Sequence, residues 1–207
     1  FDVDAAVAHL TRKDRTLARL IREVGPCRLE IAPRQSPYQA LLESIVYQQL
    51  TAKAAATIYG RVCKSFGSSR CPGAEKVADA PDELLRAAGL SRSKVSAVKD
   101  LARKSLDGEI PTRRAAEKLS DAALVECLTS VRGVGTWTVE MFLIFTLGRP
   151  DVLPLDDYGV RKGFARTFGR DVLPKPKELA ALGEKWRPFR TAASWYLWRA
   201  LDLDAKG

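Results

Sequence analysis

The feature that most constrains the fold of this chain is a glycine hairpin, VRGVG at residues 131–135, between two helical patterns. Before it, apolar residues recur at helical spacing over residues 122–128. After it, residues 137–147 are apolar on nearly every side, which is typical of a buried central helix. Glycine adopts backbone conformations closed to other residues and lets a second backbone approach closely. The pattern therefore predicts two helices joined by a tight turn that another backbone can reach.

The start of the second helix is a candidate phosphate site. The N–H groups of a helix's first turn have no partners within the helix, and they carry partial positive charge. The groups concerned are the amides of Gly133, Gly135, Thr136 and Thr138, with the side chain of Arg132 beside them. The alternative is an ordinary turn between helices, which the GxG spacing alone does not exclude.

Two adjacent carboxylates, Asp156 and Asp157, follow the hairpin by about twenty residues, at the predicted start of another helix. Aspartate is a preferred N-cap residue, so we expect at least one of them to cap the helix that runs from Tyr158. A capping position holds a carboxylate rigidly at the protein surface. A phosphate clamp combined with a positioned carboxylate is a pairing that DNA repair chemistry uses.

Composition favours a polyanionic partner and gives no sign of a membrane protein. Lys plus Arg outnumber Asp plus Glu by 34 to 25, for a formal net charge of +9. No uninterrupted apolar run is long enough to span a bilayer, and the N-terminus lacks a signal layout. The four cysteines form no CxxC pair, so we expect reduced thiols in a cytoplasmic protein.

Long helical patterns with few alternating runs predict an all-α chain. We expect residues 1–207 to form a single domain, because the loop at residues 67–73 does not convincingly split it. Residues 3–24 place their apolar side chains on one helical face, which predicts a helix that stops at Gly25. N-caps are predicted at Ser36, Thr51 and Ser91.

The hairpin and the aspartate loop resemble the helix–hairpin–helix DNA glycosylase superfamily. Two motifs carry the resemblance, GVGTWT at residues 133–138 and LPLDDYGVRKG at residues 153–163. The resemblance extends through SPYQALLESIVYQQLTAKAA and WRPFRTAASWYLWR, over roughly residues 36–201. Within the superfamily, the chain is most similar to the alkylation-repair branch of 3-methyladenine DNA glycosylases II, in a compact form without the extra N-terminal sheet domain.

This resemblance implies an all-α fold with two helical subdomains, a hairpin and catalytic loop within about residues 122–168, and a DNA-binding cleft between the subdomains. It implies an enzyme that flips an alkylated purine, such as 3-methyladenine, out of duplex DNA and hydrolyses its N-glycosidic bond. Glycosylases that also nick the strand have a lysine two residues after the second hairpin glycine, where this chain has Trp137. We therefore expect a monofunctional enzyme that leaves an abasic site.

By the same resemblance, the family's catalytic aspartate maps onto Asp157, with Asp156 as the alternative register. Cleavage of an N-glycosidic bond builds positive charge on the sugar, and a fixed carboxylate stabilises that charge and orients the attacking water. The resemblance implies no metal or organic cofactor for this chemistry. No cysteine follows Cys127, so we also expect no iron–sulfur cluster.

The resemblance also implies a pocket for the flipped base and a wedge that fills the space it leaves. The expected pocket residues are Trp137, Trp198, Met141 and Tyr47. An electron-rich tryptophan ring attracts a cationic N-alkylated purine, although ordinary core packing is the alternative for both tryptophans. The expected wedge is Gln49 or Leu50, at a break between two apolar helices, and the register favours Gln49 of the two. A solvated loop is the alternative.

The expected partner is double-stranded DNA that contains alkylated bases, bound by a monomer in the bacterial cytoplasm in association with the nucleoid. The hairpin amides, with Arg132 and Lys162, would grip phosphate, which predicts binding that weakens as salt rises. Family members often bind a monovalent cation at the hairpin, which here would involve Na⁺ or K⁺ and the backbone carbonyls of Thr129, Val131 and Val134.

Two rival functions use the same residues differently. A sibling glycosylase would act on oxidised or mismatched bases, but Trp137 and the aromatic pocket argue against it. A non-catalytic helix–hairpin–helix DNA-binding module would keep the clamp at Gly133 and Gly135 without needing the aspartate. Loss of activity with retained binding in an Asp157 variant would count against that module.

Overall fold

Side-chain caps set where many helices of this chain begin. The computed structural model describes residues 1–32 and 35–206, and in it a Ser, Thr or Asp oxygen repeatedly accepts a backbone N–H from the first helical turn. These N-caps are Asp2, Asp14, Ser36, Thr51, Ser91, Thr112, Ser120 and Asp157. The predicted caps at Ser36, Thr51 and Ser91 are confirmed, and Ser36 forms a reciprocal capping box with Gln39.

All regular secondary structure in the described residues is helical, which confirms the all-α prediction. The α-helices are α1 Val3–Lys13, α2 Arg15–Val24, α3 Pro37–Tyr47, α4 Ala52–Ser65, α5 Ala74–Asp79, α6 Asp82–Ala87, α7 Arg92–Leu106, α8 Arg113–Ala116, α9 Asp121–Leu128, α10 Thr136–Phe145, α11 Tyr158–Thr167, α12 Pro176–Gly183 and α13 Arg190–Ala200. Short 3-10 helices follow at Glu184–Trp186 and Leu201–Lys206. Within the described ranges, none of the helices has the length and apolar character that crossing a bilayer requires.

The prediction of one helix over residues 3–24 is wrong, because the helix is interrupted at Asp14. Asp14 has an extended backbone, and its side chain accepts the N–H groups of Thr16 and Leu17 to start α2. The carboxylate is buried, and it also accepts the indole N–H of Trp186 at 2.9 Å. The hydrogen bond from Trp186 therefore favours a helix break at Asp14, although the apolar periodicity of residues 3–24 continues through this position.

The chain forms two compact units. The first comprises residues 1–32 and 143–207, and the second comprises residues 33–142. The division falls within α10, and the loop at residues 67–73 lies inside the second unit. The first unit is therefore built from both ends of the chain, whereas the second is continuous.

In the first unit, α11 packs closely on α13 because α11 presents glycine at the contact. A Cβ on Gly163 would lie 1.9 Å from the backbone oxygen of Leu197, and a Cβ on Gly159 would lie 2.8 Å from Cδ1 of Trp198. Only glycine permits these approaches. They bring the start of α11, where Asp157 lies, next to the side chain of Trp198.

Replacement of Gly163 by alanine is expected to lower the free energy of unfolding by about 3 kcal/mol, because the methyl group overlaps the Leu197 carbonyl and forces the helices apart. Chemical denaturation of purified protein measures the difference. Gly60→Ala is the matched control, since Gly60 lies within α4 with nothing within 4 Å of the added Cβ. That control is expected to raise stability by up to about 1 kcal/mol. Equal stability of the two variants would contradict the close-packing argument.

In the second unit, α7 packs against both α3 and α5. The residues buried from α3 include Leu41 and Ile45, and those buried from α7 include Val98 and Leu101. The end of α3 and one side of α7 therefore share a common core. This placement sets the position of the turn at residues 48–50, which joins α3 to α4.

Candidate active site

The carboxylate of Asp157 is fixed at the start of α11. Its Oδ1 accepts the backbone N–H of Val160 at 2.7 Å and the indole Nε1–H of Trp198 at 2.8 Å. The first of these is an N-cap bond, so the prediction that one aspartate of the pair caps this helix is confirmed. Asp156 is exposed, whereas Asp157 is half-buried. Of the two adjacent carboxylates, Asp157 is the one with a defined orientation.

Trp198 orients this carboxylate from α13. Its ring is partly buried and stacks on Phe145, with the ring centroids 5.8 Å apart and the planes 26° from parallel. Stacking fixes the plane of the indole, and the plane fixes the direction in which Nε1 donates. Trp198 was predicted as a pocket wall on family resemblance, and its hydrogen bond to Asp157 is an additional role that no local sequence signal indicates.

Lys162, a predicted phosphate ligand, lies on the exposed surface of α11. Its Nζ lies 5.8 Å from the ring centroid of Tyr158, whose side chain is 63% exposed. An exposed ammonium group on the helix that Asp157 caps adds positive charge to the surface of the first unit. This placement is compatible with the predicted contact to phosphate.

In the second unit, the hairpin presents backbone N–H groups to solvent. Gly133 has φ +75°, a conformation that favours glycine, whereas Gly135 has an ordinary φ and open space where a Cβ would be. Internal packing therefore does not require glycine at Gly135. Within the described residues, the amides of Gly133, Gly135 and Thr136 donate to no protein acceptor. These three exposed N–H groups, in the hairpin and at the first residue of α10, have the free donors that the predicted anion site requires.

The phosphate prediction is wrong for the amide of Thr138. Its N–H donates to the carbonyl of Gly135 at 3.0 Å, and the residue is buried. The backbone N–H of Arg132 is also engaged, because it donates to Oδ2 of Asp100 at 2.8 Å. The Arg132 side chain is exposed. The hairpin therefore offers fewer amides than the sequence suggested, flanked by one accessible guanidinium group.

The second unit also contains a pocket with a volume of about 600 Å³, which is large enough for a purine base. Five residues that were predicted for the base pocket or the wedge line it together: Tyr47, Gln49, Leu50, Trp137 and Met141. The Trp137 side chain is 46% exposed, so the core alternative is wrong for this residue. Burial raises the pKa of the Tyr47 phenol, with a further contribution from the Glu43 carboxylate.

Ser44 and Gln48 also line this pocket but were not predicted. Ser44 lies three residues before Tyr47 on α3, and this spacing places both on one helical face, a signal that was available in the sequence. Gln48 donates from Nε2 to the carbonyl of Gly133 at 2.9 Å across 85 residues of sequence. No local pattern indicates that contact.

The chain matches the family model of the HhH-GPD superfamily base excision DNA repair protein over residues 42–188. It is 38% identical to DNA-3-methyladenine glycosylase 1 of Schizosaccharomyces pombe, over 96% of this chain and 87% of that protein. It is 33% identical to the alkylbase DNA glycosidase-like protein mag2 of the same organism, over 100% of this chain and 97% of that protein.

Solved structures show the same relationship. The 3-methyladenine DNA glycosylase Mag1 of S. pombe, in complex with abasic DNA, superposes with a TM-score of 0.85, covering 94% of this chain and 95% of that one at 38% identity. A DNA-3-methyladenine glycosidase from Bacillus halodurans gives a TM-score of 0.87, covering 97% and 91% at 34% identity. The fold thus agrees with the sequence comparisons, and the chain belongs to the HhH-GPD superfamily of base excision DNA repair proteins.

Proposed function

We propose that this chain is a monofunctional DNA glycosylase that removes alkylated purines, such as 3-methyladenine, from duplex DNA and leaves an abasic site. The observation that carries the proposal is the Asp157 carboxylate, held by Val160 and Trp198. The names of the S. pombe and B. halodurans relatives agree with the predicted activity. The relative in complex with abasic DNA supports DNA as the partner.

In the proposed reaction, the bond between C1′ of deoxyribose and the purine nitrogen breaks, and the base leaves with the bonding electrons. Positive charge then develops on the sugar, and the Asp157 carboxylate stabilises it. Water adds to C1′ and loses a proton, which the carboxylate accepts as it orients that water. Because two hydrogen bonds from the protein itself hold Oδ1 of Asp157, little reorganisation accompanies the developing charge.

The pocket of the second unit supports selection of cationic purines. Trp137 offers an electron-rich surface that is nearly half exposed, and Tyr47 and Met141 add apolar or aromatic surface around it. An N-alkylated purine carries positive charge, so it gains cation–π attraction that an unmodified base lacks. Such a pocket needs few hydrogen bonds, which fits a broad range of alkylated bases.

Replacement of Trp137 by leucine is expected to slow release of 7-methylguanine, a cationic base, by about 10-fold relative to release of neutral hypoxanthine, because the cation–π contribution is lost. Single-turnover release from duplexes with one defined lesion measures the ratio. Trp137→Phe, which keeps an aromatic face, should show a smaller change. Trp195→Leu is the matched control, since Trp195 contacts Arg199 in the first unit. An unchanged ratio in Trp137→Leu would show that charge is not recognised at this ring.

We propose that the hairpin amides of Gly133, Gly135 and Thr136, with the side chains of Arg132 and Lys162, contact the DNA backbone. Each phosphate neutralised should steepen the salt dependence of binding by about 0.9 in the slope of log affinity against log salt.

The predicted Na⁺ or K⁺ site fits the C-terminus of α9, where Thr129 lies and where the last helical carbonyls carry partial negative charge. Its other predicted carbonyls belong to Val131, which also accepts the Val134 N–H, and to Val134 itself. If replacing K⁺ by tetramethylammonium at constant ionic strength leaves DNA affinity unchanged, the cation proposal fails.

The test of the proposed function is base release from duplex DNA treated with a simple methylating agent. Release of free 3-methyladenine or 7-methylguanine, with abasic sites left in an uncut strand, is the expected result. Salt-dependent binding without any base release would favour the non-catalytic module instead. Release of oxidised or mismatched bases alone would favour the sibling glycosylase. The monomeric state and the cytoplasmic, nucleoid-associated location stay predictions.

A further inference from the structure

The wedge turn, residues 48–50, has a strained backbone. Gln49 has φ +56°, and it is the one non-glycine residue with positive φ in the part of the chain that the structure describes. A side chain in this left-handed region costs free energy, so the surrounding structure must hold it there. Gln49 and Leu50 are both exposed, and the turn lies between α3 and α4.

The ammonium group of Lys94, on α7, forms hydrogen bonds with this turn and with the end of α3. Its Nζ donates to the carbonyl of Val46 at 2.7 Å and to the carbonyl of Gln48 at 2.8 Å. Carbonyls at the end of a helix have no partners within it and carry partial negative charge, so an ammonium group is favourable at the end of α3. Burial lowers the pKa of Lys94. The Lys94 ammonium group is thus partly shielded from water, and it donates two hydrogen bonds to carbonyls close to the strained Gln49.

The same turn is tied to the hairpin. Gln48 donates to the carbonyl of Gly133 at 2.9 Å, and Gly133 lies against α7, where an added Cβ would be 3.5 Å from Cβ of Ala97. One turn further on, Asp100 accepts the Arg132 amide. Lys94, Ala97 and Asp100 follow one another at three-residue spacing on α7. One side of a single helix therefore holds both the wedge turn and the phosphate-binding hairpin.

We propose that Lys94 and Gln48 are positioning residues that keep the wedge turn in its inserting conformation and couple it to the hairpin. This inference rests on the proposed function, because only an enzyme that flips a base needs the wedge expected at Gln49 or Leu50. Neither residue is required to touch the reacting atoms. Their effect is on extrusion of the base, a step that is costly for a paired nucleotide and less so for a mismatched one.

The experiment compares Lys94→Met, Lys94→Arg and a matched control, Lys99→Met. The control removes one charge from the same helix, at a lysine that pairs with Asp82. Single-turnover base release is measured for a methylated purine in a matched pair and in a mismatch. A second probe is 2-aminopurine fluorescence opposite a tetrahydrofuran abasic analogue, which reports insertion of the wedge without any catalysis.

For Lys94→Met, we expect release from the matched pair to fall by about 10-fold and release from the mismatch to fall much less, because extrusion is the affected step. The fluorescence change on binding should shrink, and Lys94→Arg should restore part of both signals. Lys99→Met should behave like the parent protein. Equal losses on matched and mismatched lesions, or behaviour of Lys94→Met identical to that of Lys99→Met, would overturn the proposal.

A second variant protects the test against simple unfolding. Gln48→Met removes the donor to Gly133 while keeping a side chain of similar length. Provided that thermal unfolding shows a folded protein, we expect base release to fall more for the matched pair than for the mismatch, as for Lys94→Met. If Gln48→Met matches the parent protein in both base release and the fluorescence change, the proposed coupling to the hairpin is overturned. If the parent itself releases no base, the proposed function fails, whereas the fluorescence arm still decides whether Lys94 and Gln48 position the turn.

Discussion

Asp157→Asn is expected to lower single-turnover base release by about 10³-fold, because it removes the charge that stabilises the developing sugar cation. This substitution removes the negative charge without removing the hydrogen-bond acceptor. Asparagine keeps Oδ1 as an acceptor for the Val160 amide and the Trp198 indole, so the helix cap and the stacked ring stay in place. Stability and DNA affinity should therefore change little while the chemical step is lost.

Asp156→Asn is the matched control for this prediction, since Asp156 is the adjacent carboxylate and is exposed. It carries the same charge change at nearly the same place, and we expect less than about a 3-fold loss of release, as for an exposed charge screened by water. Base release by high-performance chromatography and binding by fluorescence anisotropy separate the two effects. Full activity in Asp157→Asn with loss in Asp156→Asn would move the catalytic assignment to Asp156.

Asp14→Ala is expected to lower the free energy of unfolding by about 3 kcal/mol, as for a buried charge network that loses one partner. The Asp14 side chain is 3% exposed, and its Oδ2 accepts from Lys185 and from Trp186, each at 2.9 Å. Its Oδ1 accepts the first N–H groups of α2. Removing the carboxylate leaves a buried indole N–H and a helix start without partners, which is the physical source of the loss.

The same residue predicts a pH dependence of stability. Burial alone would raise the pKa of Asp14, but the hydrogen bonds from Lys185, Trp186 and the backbone outweigh it and hold that pKa below its usual value. The stabilisation is therefore complete above the unfolded-state pKa, near 4, and is lost as pH falls through the lower folded-state pKa. The stability difference between the parent and Asp14→Ala should be constant from about pH 5 to 7 and shrink below about pH 4.

Asp2→Ala is the matched control, because Asp2 caps α1 from an exposed position. Loss of an exposed cap should cost about 1 kcal/mol. Denaturant unfolding of the three proteins at pH 7 and at a series of lower pH values provides the comparison. A difference between the parent and Asp14→Ala that does not depend on pH would mean that the carboxylate charge contributes nothing to the network.

Local chemistry made much of the fold predictable. The caps at Ser36, Thr51 and Ser91 each join groups three residues apart, so the residues that form each bond are close in sequence. The hairpin turn depends on the positive φ of Gly133, which glycine supplies without help from elsewhere. The family resemblance rests on contiguous motifs in the same way, and the family model confirms it.

A tertiary contact overrode the local pattern at Asp14, and local backbone geometry overrode the expectation at Thr138. The apolar periodicity of residues 3–24 continues through Asp14, yet the helix breaks there because Trp186, 172 residues away, pairs with its carboxylate. The Thr138 amide was predicted to face phosphate, yet the backbone turns so that it bonds Gly135. Trp186 has no signature in the sequence around Asp14, whereas the Thr138 bond joins residues only three positions apart.

The sequence by itself determined most of the helices, the caps at Ser36, Thr51 and Ser91, the hairpin, and a capping carboxylate within the pair Asp156 and Asp157, because each depends on bonds between near neighbours. Only the tertiary structure decided how that carboxylate is aimed, through Trp198, 41 residues away. It alone decided that Gln48 meets Gly133 and that Lys94 supports the strained Gln49. These contacts form only when the buried faces of helices pack together. Packing brings groups within hydrogen-bonding distance that lie far apart in the sequence, and no periodic pattern in the sequence connects them.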